Sequence, residues 1–408
     1  MTSASGMSAG NEHLLPFRIS VPESDLEDLA RRLRATRWPE RETAEGWSQG
    51  VPLGRMQTLV EYWQTRYDWR RCERMLNDLG QYRTEIDGLW IHFLHVRSPH
   101  DHALPLLLTH GWPGSVIEFH KVIPLLTDPT AHGGRVDDAF HVIIPSLPGF
   151  GFSDKPTSTG WGIERIARAW TELMSRLGYD RWLAQGGDWG AAVTTMLGKQ
   201  RPAGLWAIHL NLPVVVPPPV DKDDLTEDEK KALADIKEYG VHESGYMRLQ
   251  STRPQTLGYA LSDSPVAQAA WIYEKFAAWT DSGRNPEKVL TQDEMLDNIM
   301  LYWLSGTGAS SARLYWESMK DFRRVELDLP VGCSIFPREL YRVPKRWADR
   351  TYRDLLYWGE VGSGGHFAAF EQPRLFVDEI RACFRVLRQR GSKPRRPAQP
   401  APRPPSIR

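Results

Sequence analysis

The order of apolar and turn-forming residues predicts an α/β fold with a mainly parallel sheet, preceded by a helical N-terminal meander and interrupted by a helical lid. Three observations carry this expectation. From residue 104 onward, apolar runs alternate with helix-length segments: Leu104 to Leu108, Phe140 to Pro145, Trp182 to Gln185, Leu205 to Leu210, Val331 to Phe336 and Asp354 to Trp358. Such strands are buried on both faces, and helices between them make the crossovers that parallel pairing needs. Between Asn211 and about Arg324 this rhythm stops, replaced by a proline-rich opening (Pro213 to Pro219), an acidic helix start (Asp221 to Glu229) and long aromatic helical segments. Before the first obvious strand, roughly eighty residues read as helices.

Taken in order, Ser24-Asp25-Leu26-Glu27 has the form of a capping box, with Leu26, Leu29 and Leu33 on one face and a stop near Trp38-Pro39. A second helical stretch carries Leu59, Tyr62, Trp63 and Tyr67. Asp87-Gly88, between Tyr82 to Ile86 and Leu89 to Val96, signals a two-residue hairpin and the start of the sheet. The predicted organisation is a meander leading into the first strands over 1–95, core over 96–211, lid over 212–324, and core again over 325–390. The Pro/Arg-rich tail, 391–408, is too poor in aliphatics to fold and is predicted disordered.

Composition narrows the function. A chain of 408 residues with 17 Trp and 41% hydrophobic residues can bury a large core. Lys plus Arg equals Asp plus Glu at 51 each, so no global charge draws nucleic acid or an anionic membrane, and a neutral substrate is expected. Three widely spaced cysteines, Cys72, Cys333 and Cys383, suit a reducing cytoplasm and form neither a disulfide framework nor a zinc site. The first residues lack the features of a signal peptide, and no run approaches the ~18 apolar residues of a membrane span. A homodimer is compatible with the sequence, which fixes no oligomeric state.

The most informative stretch is Leu183-Ala184-Gln185-Gly186-Gly187-Asp188-Trp189-Gly190. Glycines around a central residue permit a tight strand-to-helix turn that lifts a nucleophile clear of the sheet. Here that residue is Asp188, where serine is usual. A carboxylate, with a reference pKa near ~3.9, needs no base to ionise. It displaces a leaving group at saturated carbon and leaves an ester behind, which points to epoxides or alkyl halides; the alternative is an aspartate capping the next helix. Sites in open α/β sheets form at the carboxyl ends of strands. Loops there carry His110-Gly111-Trp112-Pro113-Gly114, Pro337-Arg338-Glu339 and Gly362 to His366. His366, in a glycine-rich loop after the last strand, suits a general base. The order nucleophile, acid, base is that of α/β-hydrolases.

The chain resembles an epoxide hydrolase of the microsomal type, with an α/β-hydrolase core. The likeness runs from about Pro16 to about Arg388 through Pro16-Phe17-Arg18, Tyr67-Asp68-Trp69, His110-Gly111-Trp112-Pro113-Gly114-Ser115, Gly186-Gly187-Asp188-Trp189-Gly190, Glu243-Ser244-Gly245-Tyr246-Met247, Phe336-Pro337-Arg338-Glu339 and Gly364-Gly365-His366-Phe367-Ala368-Ala369-Phe370. It lacks the membrane-anchoring helix of mammalian members and so resembles a soluble relative.

The resemblance implies Asp188 as nucleophile, His366 as base and Glu339 as the carboxylate orienting it, against the competitors Asp349, Asp354, Glu360 and Glu371. It implies Tyr246 and Tyr315 as phenols that protonate the opening epoxide oxygen, while Tyr259, Tyr273 and Tyr302 are read as packing. Backbone N–H groups of Trp112 and Trp189 would form the oxyanion hole, and Trp112-Pro113 is a place for a cis bond. His110 reads as a packing and hydrogen-bonding part of its loop, and Trp271, Trp279, Trp303 and Phe276 as lid core with one or two lining the pocket. The implied reaction takes a small neutral epoxide and water and uses no metal or organic cofactor. Haloalkane-type dehalogenation is the rival reaction, and a hydrolase-fold binding protein the rival class; the Glu-Ser-Gly-Tyr segment favours the epoxide.

Overall fold

The computed structural model describes residues 14–217, 224–321 and 325–392. Nine strands form one sheet: β1 (Leu15–Pro16), β2 (Gln81–Ile86), β3 (Leu89–Val96), β4 (Leu104–Thr109), β5 (Phe140–Pro145), β6 (Trp182–Gly186), β7 (Leu205–Leu210), β8 (Leu327–Ile335) and β9 (Tyr352–Glu360). Their spatial order is β1-β2-β3-β5-β4-β6-β7-β8-β9. From β5 to β9 every pairing is parallel, while β1, β2 and β3 add an antiparallel edge. The α/β expectation therefore holds, and its reason is visible in burial. All five residues of β6 and five of six in β4 are buried, as fits strands covered on both faces.

Three helices, Glu23–Arg34, Leu53–Thr65 and Trp69–Asn77, make the N-terminal segment. The first differs from its sequence reading: it starts at Glu23 after Pro22, with no side-chain cap, and Ser24 bonds Asp25 instead. Leu29 and Leu33 bury their face as expected. β1, two residues long, lies within the stretch read as helical and pairs with β2. Between β7 and β8 stand the lid helices Glu227–Glu238, Gly245–Thr252, Pro254–Asp263, Pro265–Trp279, Gln292–Ser305 and Gly308–Ser318. The last helix, Pro373–Ser392, passes the boundary placed at 391, because its apolar stripe continues to Leu387 and Arg390 is anchored to Asp354 (2.7 Å). The tail from residue 393, read as disordered, lies outside the described residues.

Candidate active site

β6 ends at Gly186 and the helix Asp188–Gln200 begins two residues later, with Asp188 at the apex and at φ 50°. That conformation costs an ordinary residue about 1–2 kcal/mol, so the surroundings must hold it. They are closely packed. A Cβ on Gly190 would stand 1.8 Å from the Thr109 carbonyl oxygen, and one on Gly186 2.1 Å from that of Gly190. The frame thus needs glycine for close approach of backbone to backbone.

The loop after β4 meets this turn from the opposite side. The Trp112 backbone N–H donates to Asp188 Oδ1 (2.7 Å), and the Trp112–Pro113 bond is cis, where the sequence allowed it. The lid grips the loop: the Asn298 amide donates to the Pro113 oxygen and accepts from the Ser115 hydroxyl, each at 2.8 Å, while Tyr302 donates to the Gly114 oxygen (2.7 Å). Leu147 N–H donates to His110 Nε2, so His110 carries its proton on Nδ1 and donates to the Gly111 oxygen. Both its nitrogens are used in packing the loop.

His366 Nε2 lies 3.3 Å from Asp188 Oδ2, and its Nδ1 lies 2.6 Å from Glu339 Oε1. The competing carboxylates are engaged elsewhere. Asp349 pairs with Lys345, Asp354 with Arg390, Glu360 accepts from the Trp358 indole, and Glu371 accepts from the backbone of Asp281 and Gly365. Burial disfavours a charged His366, but the Glu339 and Asp188 carboxylates outweigh it and hold its pKa well above the usual 6.5.

Two lid phenols close the site. Tyr246, on Gly245–Thr252, and Tyr315, on Gly308–Ser318, are both buried, with ring centres 5.8 Å apart. Trp112 stacks on Tyr246 at 5.1 Å, and Trp189 meets Tyr315 edge to face at 4.7 Å. Burial pushes both phenols well above their usual range, as do the neighbouring Tyr315 for Tyr246 and the Asp188 charge for Tyr315. Both are therefore proton-bearing at neutral pH. Tyr302 and Tyr273 bind Gly114 and Glu287, and Tyr259 is exposed.

The structure thus brings Asp188, Glu339, His366, Tyr246, Tyr315, Trp112 and Trp189 together between core and lid, picks Trp279 from the aromatics read as lid core or pocket lining, and adds Tyr239 and Glu118, which the sequence did not single out. Tyr239 places its hydroxyl 2.6 Å from that of Tyr246. Trp279 covers His366 (5.0 Å) and Tyr246 (5.1 Å), so it is the lid tryptophan at the site. Glu118 borders a cavity of about 20 Å³ shared with Asp188 and His366, and burial pushes its pKa up to about 8. A lone glutamate in Val116-Ile117-Glu118-Phe119 was the available signal for it. Among the described residues no three His, Cys, Asp or Glu side chains cluster to hold a metal ion, and no helix is long and apolar enough to cross a membrane.

Sheet order, the loops at its carboxyl ends and the turn carrying Asp188 define an α/β hydrolase, and residues 105–239 match the alpha/beta hydrolase fold family. Residues 14–119 match the family described as Epoxide hydrolase N terminus. A Stigmatella aurantiaca relative is 66% identical over 92% of this chain and 86% of its own. Epoxide hydrolase 1 of Sus scrofa is 36% identical over 93% of this chain and 90% of its own. The chain belongs to the epoxide hydrolase family. Among solved structures, juvenile hormone epoxide hydrolase of Bombyx mori superposes with a TM-score of 0.85 at 30% identity, covering 93% of this chain and 95% of that one. The Aspergillus niger enzyme gives 0.81 at 33%, covering 91% and 96%.

Proposed function

We propose that this epoxide hydrolase works in two steps through an ester on Asp188. The carboxylate attacks an epoxide carbon while Tyr246 and Tyr315 hydrogen-bond the ring oxygen and supply its proton. Water, deprotonated by His366, then attacks the ester carbon, with charge received by the Trp112 and Trp189 N–H groups, and a vicinal diol leaves. One observation carries this reading: a single carboxylate lies 3.3 Å from the base and 2.7 Å from the Trp112 N–H, in the aromatic enclosure that holds both buried phenols. The cavity of about 20 Å³ beside Asp188 and His366 supports the second step, since it has room for one water. Trp189, the residue that halide binding would also use, is occupied by Tyr315, which supports the epoxide reading.

The electrostatics also give the steps an order. In the free enzyme the Asp188 charge helps keep His366 protonated, which is harmless because alkylation needs no base. Esterification removes that charge. The His366 pKa then falls, and the ring becomes able to take a proton when hydrolysis requires it.

His366→Gln is the direct test. With racemic styrene oxide as probe, the ester should form and persist, so intact-mass spectrometry should show the protein heavier by one epoxide, on the peptide containing Asp188. Unmodified protein, with wild-type enzyme active in parallel, would refute two-step covalent catalysis.

A further inference from the structure

Tyr246 is buried, yet after each turnover its phenolate must recover a proton. Its hydroxyl has a polar neighbour besides Tyr315: Tyr239, at 2.6 Å. Tyr239 opens the wide π turn Tyr239–Glu243 that joins two lid helices, a backbone form concentrated at functional positions. Tyr239 is only half-buried and lines an open groove of about 480 Å³, whose other walls include Glu238, Glu243, Arg284 and Arg338. The Tyr246 hydroxyl is thus linked to a residue that itself borders a charged groove. We propose that Tyr239 is a proton-supplying residue, which returns a proton from solvent to the Tyr246 hydroxyl after each turnover.

This rests on the two-step mechanism above, and its protons balance. In alkylation the Asp188–carbon bond forms, the epoxide carbon–oxygen bond breaks, and the oxygen takes the Tyr246 proton. In hydrolysis one water proton goes to His366 and from there to the departing diol oxygen. The second water proton leaves the regenerated Asp188 carboxyl for solvent. His366 releases its resting proton to solvent on esterification and regains one when Asp188 is freed, and one proton enters through Tyr239 to Tyr246, so epoxide plus water gives diol with none gained or lost. Tyr315 has its own partner in Trp189, an indole that donates but cannot relay. Tyr239 is therefore the route that the geometry offers.

The experiment compares Tyr239→Phe with wild type on styrene oxide, following alkylation in a single turnover by tryptophan fluorescence and kcat at low buffer concentration. The ring is conserved, and near-UV circular dichroism checks the fold. Alkylation in the first turnover should stay within about threefold, whereas kcat should fall about tenfold, less than the ~10² of a group that moves a proton in the transition state, because solvent can still reprotonate Tyr246 slowly. Raising the concentration of imidazole buffer should restore kcat, and Tyr239→Ala, which opens space beside the groove, should be restored more fully. Wild-type kcat in Tyr239→Phe overturns the proposal. So does an equal loss in alkylation and kcat that imidazole does not move, since that is the mark of a packing residue. A His366→Gln protein that forms no ester while wild type is active would instead overturn the mechanism beneath it.

Discussion

Asp188 is held at φ 50° with one oxygen on the Trp112 N–H and the other on His366, so its replacement tests charge more than shape. Asp188→Asn should abolish diol formation while leaving substrate binding; turnover near the wild-type rate in freshly purified protein would show that the carboxylate is not the attacking group. Tyr246→Phe and Tyr315→Phe should each slow alkylation by ~10² to 10³, with the double mutant nearly inactive, because each phenol is one positioned acid. If single-turnover alkylation by Tyr315→Phe matches wild type, that tyrosine is packing. Legibility at this scale varied with how local the signal was. Asp188 stood out because glycine spacing and residue type coincide within five positions, and His366 because glycines surround it. Glu339 was one carboxylate among several until the fold set it 2.6 Å from His366. Tyr239 gave no signal, since its relation to Tyr246, seven residues on, depends on a π turn and the break at Ser244.

At the scale of elements, the loop after β4 has its shape fixed from outside. Asn298, on the lid helix Gln292–Ser305, satisfies both the Pro113 oxygen and the Ser115 hydroxyl. The preceding residue, Asp297, is held by Tyr67 and Arg71 of the N-terminal segment, at 2.7 Å each. Asn298→Ala leaves buried groups unpaired, which should cost about 1–3 kcal/mol in urea unfolding. It should also slow alkylation by loosening the Trp112 N–H; unchanged stability and rate would mean that water replaces the amide without loss. Strand existence was legible from apolar runs, but strand limits were not. β8 begins at Leu327, before the run at 331, because its first turn of chain pairs only with β9 and alternates buried and exposed residues. β1 is too short to show any period.

For the molecule as a whole, burial sets the acid response. His92 and His209 are lowered by burial to about 3, and His95 and His110 to about 4, against 6.5 when unfolded. Unfolding below pH 6.5 therefore takes up protons at these histidines, and their contribution to stability falls as pH falls. Glu118 and Glu371 oppose this, since burial raises them to about 8 and 7 and they release protons on unfolding. His120 and His141, also lowered by burial, add to the uptake, while Asp297 joins the opposing side, so the histidines prevail and stability should drop between pH 6 and 5. Urea titrations at those two values check the sign; greater stability at pH 5 would contradict it. The contribution of His366 lies in another window, being fully present below 6.5 and lost as pH rises through its elevated folded pKa.

The division of labour between core and lid has a further consequence. Asp188, Glu339 and His366 belong to the core, whereas Tyr246 and Tyr315 belong to the lid, and the two are fastened where the Trp279 oxygen accepts from His366 N–H and Glu371 accepts from Asp281 N–H. The proposed attacking group and proton donors are thus carried by separate stretches of chain, one in the core and the others in the lid. In the proposed mechanism this makes a coincidence device: an epoxide at Asp188 opens readily only where both lid phenols also reach its ring oxygen. The lid can then diversify in the shapes it accepts while the machinery below it stays constant.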